Sequence, residues 1–162
     1  MADRNAFRDG TIHDVVVRPI KIHADHRGWL AELFRGDEVD PQVMPAMAYV
    51  SLTEPGVARG PHEHVDQTDY FCFVGPSTFR VYLWDNRTDS PTGGVRQVFE
   101  VGATSPAVVI VPPGIVHGYR NIGAEGGLVF NAANRLYAGQ GRKEPVDEIR
   151  HEDVEGSAFI LD

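Results

Sequence analysis

Short apolar runs alternate with turn-forming residues along most of the chain. The runs are rich in Val, Ile, Phe and Tyr, and Gly, Pro, Asn or Asp bounds each of them, which is typical of strands separated by turns. One short segment, residues 36–43, is a helix candidate. Nine segments are predicted as strands: 15–22, 29–34, 46–53, 69–74, 78–85, 95–101, 107–111, 118–121 and 128–134. The pattern predicts an all-β sandwich or barrel.

The length of the chain, 162 residues, suits one domain with a core of its own. We therefore predict a single domain over residues 1–162, with 1–12 and 152–162 as the candidate mobile ends. Residues 142–151 are densely charged. Two interpretations stay open for this segment: a solvated tail, or a segment that folds back over the mouth of the barrel.

Acidic residues outnumber basic ones by 23 to 15, which gives a formal net charge of −8. A nucleic-acid surface needs clustered cations, so no nucleic-acid partner is expected. No run is long and apolar enough to span a bilayer, and residues 1–10 lack the apolar stretch of a secretory signal. Cys72, the sole cysteine, lies in an apolar run and is expected to be a buried thiol. These features predict a cytoplasmic protein that acts on a small molecule.

Three of the seven histidines differ from the rest in their setting. His62 and His64 flank a single residue, so both imidazoles project from one face of an extended segment. Asp69 opens the next predicted strand, and His117 follows the rigid turn at 112–114. These four groups are the first candidates for chemistry.

Two segments that contain these groups resemble the motifs of the cupin family. Residues 56–75 resemble the first motif, in which a glycine and five residues precede His-x-His, a carboxylate and a second glycine. Residues 112–121, Pro-Pro-Gly-Ile-Val-His-Gly-Tyr-Arg-Asn, resemble the second motif, Pro-x-Gly-x-x-His-x-x-x-Asn. The resemblance implies a cupin double-stranded β-helix, which is a jelly-roll barrel. Asp69 departs from the first motif, where Glu is usual.

Metal-binding cupins hold a divalent ion at these positions, which implies a metal site formed by His62, His64, Asp69 and His117. Nitrogen and oxygen ligands of this kind suit Fe, Mn, Ni or Zn. An ion with an open coordination position supports Lewis-acid chemistry or oxygen activation. One hypothesis is therefore a metal-dependent cupin, either an oxygenase or a lyase that acts on a small acid.

A longer resemblance extends over about residues 25–137. It rests on residues 25–34 (Asp-His-Arg-Gly-Trp-Leu-Ala-Glu-Leu-Phe), 56–62 (Gly-Val-Ala-Arg-Gly-Pro-His), 86–92 and 112–119. These segments are similar to those of the dTDP-4-dehydrorhamnose 3,5-epimerases, which are cupins that work without metal. The resemblance implies a dTDP-type 4-keto-6-deoxy sugar as substrate, no cofactor, and a homodimer.

The chemistry of that family accounts for several residues. A 4-keto group acidifies the adjacent C–H bonds, so a neutral histidine with a pKa near its reference value of about 6.5 can remove a proton. The resemblance assigns the base to His62 and matches Tyr137 to one family tyrosine. The enolate needs a positive or hydrogen-bonding neighbour, and its reprotonation needs an acid. Arg27, Arg59 and Arg120 are candidates to hold the enolate or a diphosphate.

The resemblance also assigns further residues to substrate binding. An aromatic residue after the Arg-Gly pair lies near the sugar nucleotide in the family, which implies a ligand-facing role for Trp29 together with Glu32. Two departures fall on catalytic positions: Asn131 stands where the family has its acidic tyrosine, and Asp69 where it has a lysine. The family's aspartate partner for the base lies in a longer C-terminal segment, which this chain is expected to lack beyond Asp162. The complete substrate-binding set is Arg27, Trp29, Glu32, Arg59, His117, Tyr119, Arg120 and Asn131.

A third resemblance, to the sugar-nucleotide 3,4-ketoisomerases, rests on residues 59–64 (Arg-Gly-Pro-His-Glu-His) and 147–150 (Asp-Glu-Ile-Arg). It implies the same substrate class, with His62 and His64 moving a proton between neighbouring carbons. The leading prediction is therefore a sugar-nucleotide epimerase or isomerase with a catalytic set of His62, His64, Asp69 and Tyr137. The metal-dependent cupin is the alternative. A sugar-nucleotide-binding cupin without catalysis is a further one, because Asn131 replaces a tyrosine.

Overall fold

The computed structural model describes residues 7–162, which form thirteen strands and two single 3-10 turns, Pro41–Val43 and Gln140–Arg142. No helix of this part of the chain has the length and apolar character needed to cross a membrane. The strands are β1 (Arg8–Asp9), β2 (Val16–Pro19), β3 (Ile22–Asp25), β4 (Gly28–Ala31), β5 (Tyr49–Thr53), β6 (Ala58–Glu63), β7 (Asp69–Gly75), β8 (Thr78–Asp85), β9 (Val95–Gly102), β10 (Ala107–Val111), β11 (Ile115–Asn121), β12 (Gly127–Asn131) and β13 (Ile149–Arg150).

Two sheets face each other, and a separate hairpin joins β3 to β4. The six-stranded sheet has the order β1-β9-β8-β11-β6-β13, and the five-stranded sheet has the order β2-β10-β7-β12-β5. β1 pairs with β9 in parallel, whereas the long strands pair antiparallel. The predicted all-β jelly-roll fold is therefore confirmed.

The apolar core lies between the sheets and fills only part of the interior. Phe73 of β7 and Phe79 of β8 are fully buried there, with ring centroids 5.5 Å apart. Side chains alternate along β7, so Phe71 and Phe73 face this core while Cys72 packs on the outer face of the sheet. Asp69 follows the same alternation as Phe71. The apolar core of the barrel therefore ends at Phe71 of β7. The interior around Asp69 is polar.

The C-terminal part of the chain covers two regions of the barrel. Residues 142–151 fold back, because β13 pairs with β6 through Ile149 and Arg150. Further along, Phe159 and Leu161 pack on the outer face of the six-stranded sheet against Trp84. Of the candidate mobile ends, residues 1–6 lie outside the described part of the chain. In the remainder Ile12 is buried in the core.

The strand predictions miss the short strands β1 and β13 and differ from the structure in two further places. The sequence pattern left out β6, because glycine and proline at positions 60 and 61 resemble a turn. It also ran residues 15–22 as one strand, whereas the chain turns there and starts the β3–β4 hairpin. The predicted helix at 36–43 is wrong. Asp40 caps only the single 3-10 turn that starts at Pro41, accepting a hydrogen bond from the Gln42 N–H at 2.9 Å.

Candidate active site

An irregularity in β6 orients the histidine that the sequence analysis assigned as base. His117 pairs with His62, and Tyr119 pairs with Arg59, so β6 holds one residue more than β11 between the two pairs. An extra residue of this kind is a β-bulge, which changes the direction of the side chains that follow. Gly60 occupies the bulge at φ +81°, and a Cβ atom there would lie 2.6 Å from the His117 carbonyl oxygen. The bulge therefore requires glycine, and it places His62 opposite His117.

The three histidines and Asp69 converge inside the barrel, as the sequence predicted. One ligand atom from each of the four lies within 4.8 Å of all the others. The His62 and His117 rings are 4.5 Å apart between centroids, and the His62 and His64 rings are 5.6 Å apart. His62 is the most open of the four, with 19% of its side chain exposed, compared with 1% for Asp69.

Asp69 is the buried centre of the cluster. Its Oδ2 lies 3.0 Å from Nε2 of His64 and 3.0 Å from Nε2 of His117. Its Oδ1 accepts hydrogen bonds from Gln67 Nε2 at 2.8 Å and Asn131 Nδ2 at 2.9 Å. Burial by itself raises the pKa of Asp69, but the contacts with His117 and His64 outweigh it, and the pKa lies well below its usual value. Asp69 is therefore an ionised carboxylate that contacts both His64 and His117 and fixes their positions.

His64 has acceptors on both sides of its ring. Nε2 meets Asp69 Oδ2 at 3.0 Å, and Nδ1 meets the backbone carbonyl of Asp147. Burial lowers the pKa of His64, but the hydrogen bond with Asp69 and the contact with Asp147 outweigh it, so the pKa is raised. Asp69 and the Asp147 carbonyl both accept, which favours a ring that donates from both nitrogens, while the Gln67 amide nitrogen also lies 3.3 Å from Nε2.

His62 has the opposite electrostatic setting. Burial, together with the neighbouring His117 and His64, lowers its pKa to about 3. Its Nδ1 lies 3.9 Å from Oε1 of Glu148. Within residues 7–162, this is the one ion-pair contact that His62 makes. His62 is thus neutral at neutral pH, with a free lone pair. The pKa values of these two neighbouring histidines are thus displaced in opposite directions within one site.

A cavity of about 910 Å³ opens in front of His62 and His64. Both histidines line it, whereas Asp69 and His117 lie behind them. Tyr49, Tyr137 and Arg142 also line the cavity. A cavity of this size accommodates an organic ligand larger than a single sugar ring.

The folded-back segment closes one side of this cavity. The Asp147 carboxylate accepts hydrogen bonds from three consecutive backbone N–H groups, those of Val65 at 2.7 Å, Asp66 at 2.8 Å and Gln67 at 2.9 Å. The loop between β6 and β7 is therefore tied to the segment that carries Glu148. Of the two interpretations of residues 142–151, the structure shows the segment over the barrel mouth.

The structure divides the predicted substrate-binding residues into two groups. None of the eight lines the cavity. His117 and Asn131 are buried at the cluster, and Tyr119 is also buried, with its hydroxyl 3.4 Å from Ser51 Oγ. The other five lie away from the cluster. The Arg59 side chain donates a hydrogen bond to the backbone carbonyl of Leu52. The Arg120 side chain donates to the backbone carbonyls of Gly56 and Leu161. Arg27, Trp29 and Glu32 lie on the exposed β3–β4 hairpin and the residue after it.

Sequence reasoning missed three residues of the site. Tyr49 follows no motif, and Asp147 and Glu148 lie in a charged segment typical of a solvated surface. The segment 147–150 had been noticed only through its ketoisomerase resemblance. For Tyr49, the available signal was alternation along β5, which places it on the same face as Ser51 and Thr53.

The four-residue cluster fits a divalent metal ion by its donor set. Three imidazoles and one carboxylate are ligands that suit a transition metal. His117 Nε2 is buried and has no hydrogen-bond partner among residues 7–162, since its 3.0 Å contact with Asp69 lies outside hydrogen-bond geometry. His62, His64, Asp69 and His117 would hold the ion, which would supply Lewis-acid polarisation of a substrate oxygen.

Comparison with solved structures shows which fold class the chain has. A dTDP sugar isomerase from Desulfovibrio desulfuricans G20 superposes with a TM-score of 0.79 at 20% identity, over 93% of this chain and 91% of that one. A 3'-monoepimerase from Streptomyces bikiniensis, solved in complex with dTDP-quinovose, superposes with a TM-score of 0.75 at 22% identity. The second match covers 95% of this chain and 77% of the other. At these identities the likeness is one of fold.

Comparison of sequences identifies the family. Residues 9–153 match the family model described as dTDP-4-dehydrorhamnose 3,5-epimerase. A protein of Haloferax volcanii, named as a probable low-salt glycan biosynthesis epimerase, is 41% identical over 128 residues, which are 78% of this chain and 81% of that protein. The chain belongs to the dTDP-4-dehydrorhamnose 3,5-epimerase family. The predicted epimerase or isomerase class is confirmed, and it is favoured over the oxygenase or lyase alternative.

Proposed function

We propose that the chain epimerises or isomerises a nucleotide-linked, dTDP-type 4-keto-6-deoxy sugar through an enolate, with His62 as the base. The observation that carries the proposal is the pair of histidines at the cavity wall. His62 is neutral there, and its neighbour His64 has a raised pKa. A neutral base beside a cation is what proton abstraction next to a carbonyl requires.

The reaction follows from these two groups. His62 takes a proton from a carbon adjacent to the 4-keto group, and the electrons of the broken C–H bond move to the carbonyl oxygen. The His64 imidazolium stabilises the resulting enolate oxygen by its charge. Glu148 stabilises the protonated His62 from the other side. A proton is then returned to carbon, so the overall reaction needs no oxidant, reductant or cofactor.

The charges at the cavity suit a nucleotide diphosphate at the rim. Arg135 and Arg142 both line the cavity. Arg135 is paired with Asp66 at 2.8 Å, whereas Arg142 takes part in no ion pair of residues 7–162. Guanidinium groups bind phosphate oxygens in a bidentate way. We assign the diphosphate to Arg142, with the sugar extending inward to His62.

The state of assembly proposed is a homodimer. β5 is an edge of the five-stranded sheet, and its outward side chains Val50 and Leu52 are 64% and 52% exposed. Leu128 of β12 pairs with Leu52 and is 42% exposed. An apolar edge of this kind is a liability unless another chain covers it. A second copy is the proposed occupant, and Val50→Lys should convert the dimer to a monomer in sedimentation experiments; an unchanged dimer would place the interface elsewhere.

The proposed location is the cytoplasm. Cys72 is buried and unpaired, and burial raises the pKa of its thiol to about 12. A protein without a disulfide is compatible with a reducing compartment. Fractionation of cells that produce the protein tests this assignment.

Exchange of substrate hydrogen with solvent tests the activity directly. A dTDP-4-keto-6-deoxyhexose incubated with the protein in deuterium oxide should gain deuterium at C3 or C5, as followed by NMR. His62→Asn should abolish the exchange, and His13→Asn, which changes an exposed histidine, should not. No exchange with any nucleotide 4-keto sugar would overturn the proposal. A raised melting temperature without exchange would favour the non-catalytic binder.

A further inference from the structure

Tyr49 and Tyr137 are the two tyrosines that line the cavity. We propose that Tyr49 is the catalytic acid, which returns a proton to the enolate on the sugar face opposite His62 and so inverts the carbon. This inference rests on the proposed function. It assigns the stereochemical step to a residue that no motif marks.

The direction of the Tyr49 side chain follows from its strand. Ser51 and Thr53 share its face of β5 and contact interior groups, Ser51 with the Tyr119 hydroxyl and Thr53 with Arg59 Nε at 2.9 Å. Val50 and Leu52 point outward and are exposed. Tyr49 therefore faces the interior. The residue is 47% exposed, but its hydroxyl reaches the buried Asn131.

Asn131 determines the hydrogen bonding of the Tyr49 hydroxyl. The two residues are direct partners in the pairing of β12 with β5. Asn131 Nδ2 donates to the Tyr49 oxygen at 3.1 Å and to Asp69 Oδ1 at 2.9 Å. Because the phenol oxygen accepts from the amide, its own hydrogen stays available, and the hydroxyl makes no other hydrogen bond within residues 7–162. The free O–H is thus presented to the cavity.

Asn131 occupies the position at which the family has its acidic tyrosine. The resemblance led us to expect a tyrosine at position 131, and the chain has an asparagine there. The phenol is supplied instead from the neighbouring strand, at the register position directly opposite. Asn131 keeps it in place rather than supplying the proton itself.

The base and the acid reach the cavity from different sheets. His62 belongs to β6 of the six-stranded sheet, and Tyr49 to β5 of the five-stranded sheet. A sugar ring between them has the base at one face and the acid at the other. Inversion requires this placement, because a single group returning the proton restores the starting configuration. Burial also raises the pKa of Tyr49 to about 12, so the phenol carries its proton at neutral pH.

Tyr137 does not share these features. It is 58% exposed. Its backbone N–H lies 3.1 Å from the sulfur of the Met47 side chain. No hydrogen bond of residues 7–162 positions its hydroxyl. The hydroxyl of Tyr137 is therefore not held in a fixed position in the cavity.

The proton balance closes without a further reactant. The C–H bond breaks as His62 takes the proton, and the electron pair forms the enolate. The O–H bond of Tyr49 breaks as a C–H bond forms on the opposite face. The tyrosinate then takes a proton from water, and the His62 imidazolium releases one to water.

The test measures deuterium uptake and configuration together, with a dTDP-4-keto-6-deoxyhexose in deuterium oxide. Tyr49→Phe should lower the ratio of inverted product to deuterated, uninverted substrate at least tenfold, because His62 still exchanges the proton on its own face. Tyr82→Phe, which removes a hydroxyl on the outer face of the six-stranded sheet, should leave the ratio unchanged. The double variant Tyr49→Asn, Asn131→Tyr exchanges the two side chains and should recover a substantial part of the inversion.

The outcomes separate the inference from the function on which it rests. An unchanged ratio in Tyr49→Phe would overturn the role of Tyr49 as acid. A parallel loss of exchange and inversion in a variant that melts like the wild type would also overturn it, since that pattern indicates substrate positioning. Absence of exchange in the wild-type protein would instead overturn the proposed function.

Discussion

The backbone carbonyl of Asp147 lies against Nδ1 of His64, although the two residues are separated by 83 positions in the chain. The same residue uses its carboxylate to hold the loop that follows His64. One residue of the folded-back segment thus both orients a cavity histidine and fixes the adjoining backbone. The segment is part of the site rather than an appendage to the barrel.

Removal of the Asp147 carboxylate should loosen this connection. Asp147→Ala leaves three backbone N–H groups without their acceptor, and we expect the free energy of unfolding to fall by about 1–3 kcal/mol. Deuterium exchange into substrate should fall as well, because His64 loses its fixed orientation. Urea unfolding and the exchange assay measure the two effects. Asp153→Ala, at an exposed position just after this segment, is the control, and equal effects of both variants would contradict the connection.

Glu148 should affect the rate more than the binding of substrate. Its carboxylate is 3.9 Å from His62 Nδ1 and stabilises the histidine once it has taken a proton. In Glu148→Gln we expect kcat to fall roughly tenfold, equivalent to about 1.4 kcal/mol of activation free energy, with little change in KM. The pH–rate profile should also shift, since the protonated base is less stable. Glu155→Gln should behave as wild type; a rise in KM alone would assign Glu148 to binding.

Gly60 and Gly56 form a matched pair for testing the β-bulge. Both have positive φ angles, +81° and +75°, so alanine is strained at either position. Only at Gly60 would the new Cβ clash, 2.6 Å from the His117 carbonyl oxygen, whereas nothing lies within 4 Å at Gly56. Gly60→Ala should therefore destabilise more than Gly56→Ala in thermal unfolding and should reduce exchange. Similar losses in both variants would show that backbone strain alone matters.

Arg142 should act on binding and leave the chemistry largely intact. If its guanidinium holds the diphosphate, Arg142→Ala should raise KM for the nucleotide sugar about tenfold with a smaller effect on kcat. Arg80→Ala is the control, because Arg80 is paired with Glu100 on the exposed β8–β9 surface. Calorimetric titration with dTDP provides a second measurement. Unchanged affinity for dTDP would contradict the assignment.

Chelation tests the dependence of the reaction on metal. Proton transfer between His62 and carbon needs no ion, so we expect EDTA-treated protein to retain its exchange activity. Elemental analysis of protein purified without added metal accompanies this experiment. Loss of exchange that added Zn²⁺ or Mn²⁺ restores would contradict the expectation. It would then assign His62, His64, Asp69 and His117 as metal ligands.

Much of the fold could be predicted from local patterns. Alternating apolar residues marked strands such as β7 and β8, because each side of a strand in this barrel has a distinct environment. The same alternation placed His62 and His64 on one face. β6 was not predicted as a strand, because its bulge places Gly60 and Pro61 inside it. Local sequence rules indicate a turn for these two residues.

The sequence by itself determined the all-β class, the family, and the group of three histidines with Asp69, because each depends on side chains close together in the chain or on a fixed motif. The tertiary structure decided which of these groups reach the cavity. It brought Glu148 to His62 through the pairing of β13 with β6, and Tyr49 to Asn131 through the pairing of β5 with β12. These contacts join residues more than eighty positions apart, so no local pattern contains them, and only the sheet register specifies which side chains meet.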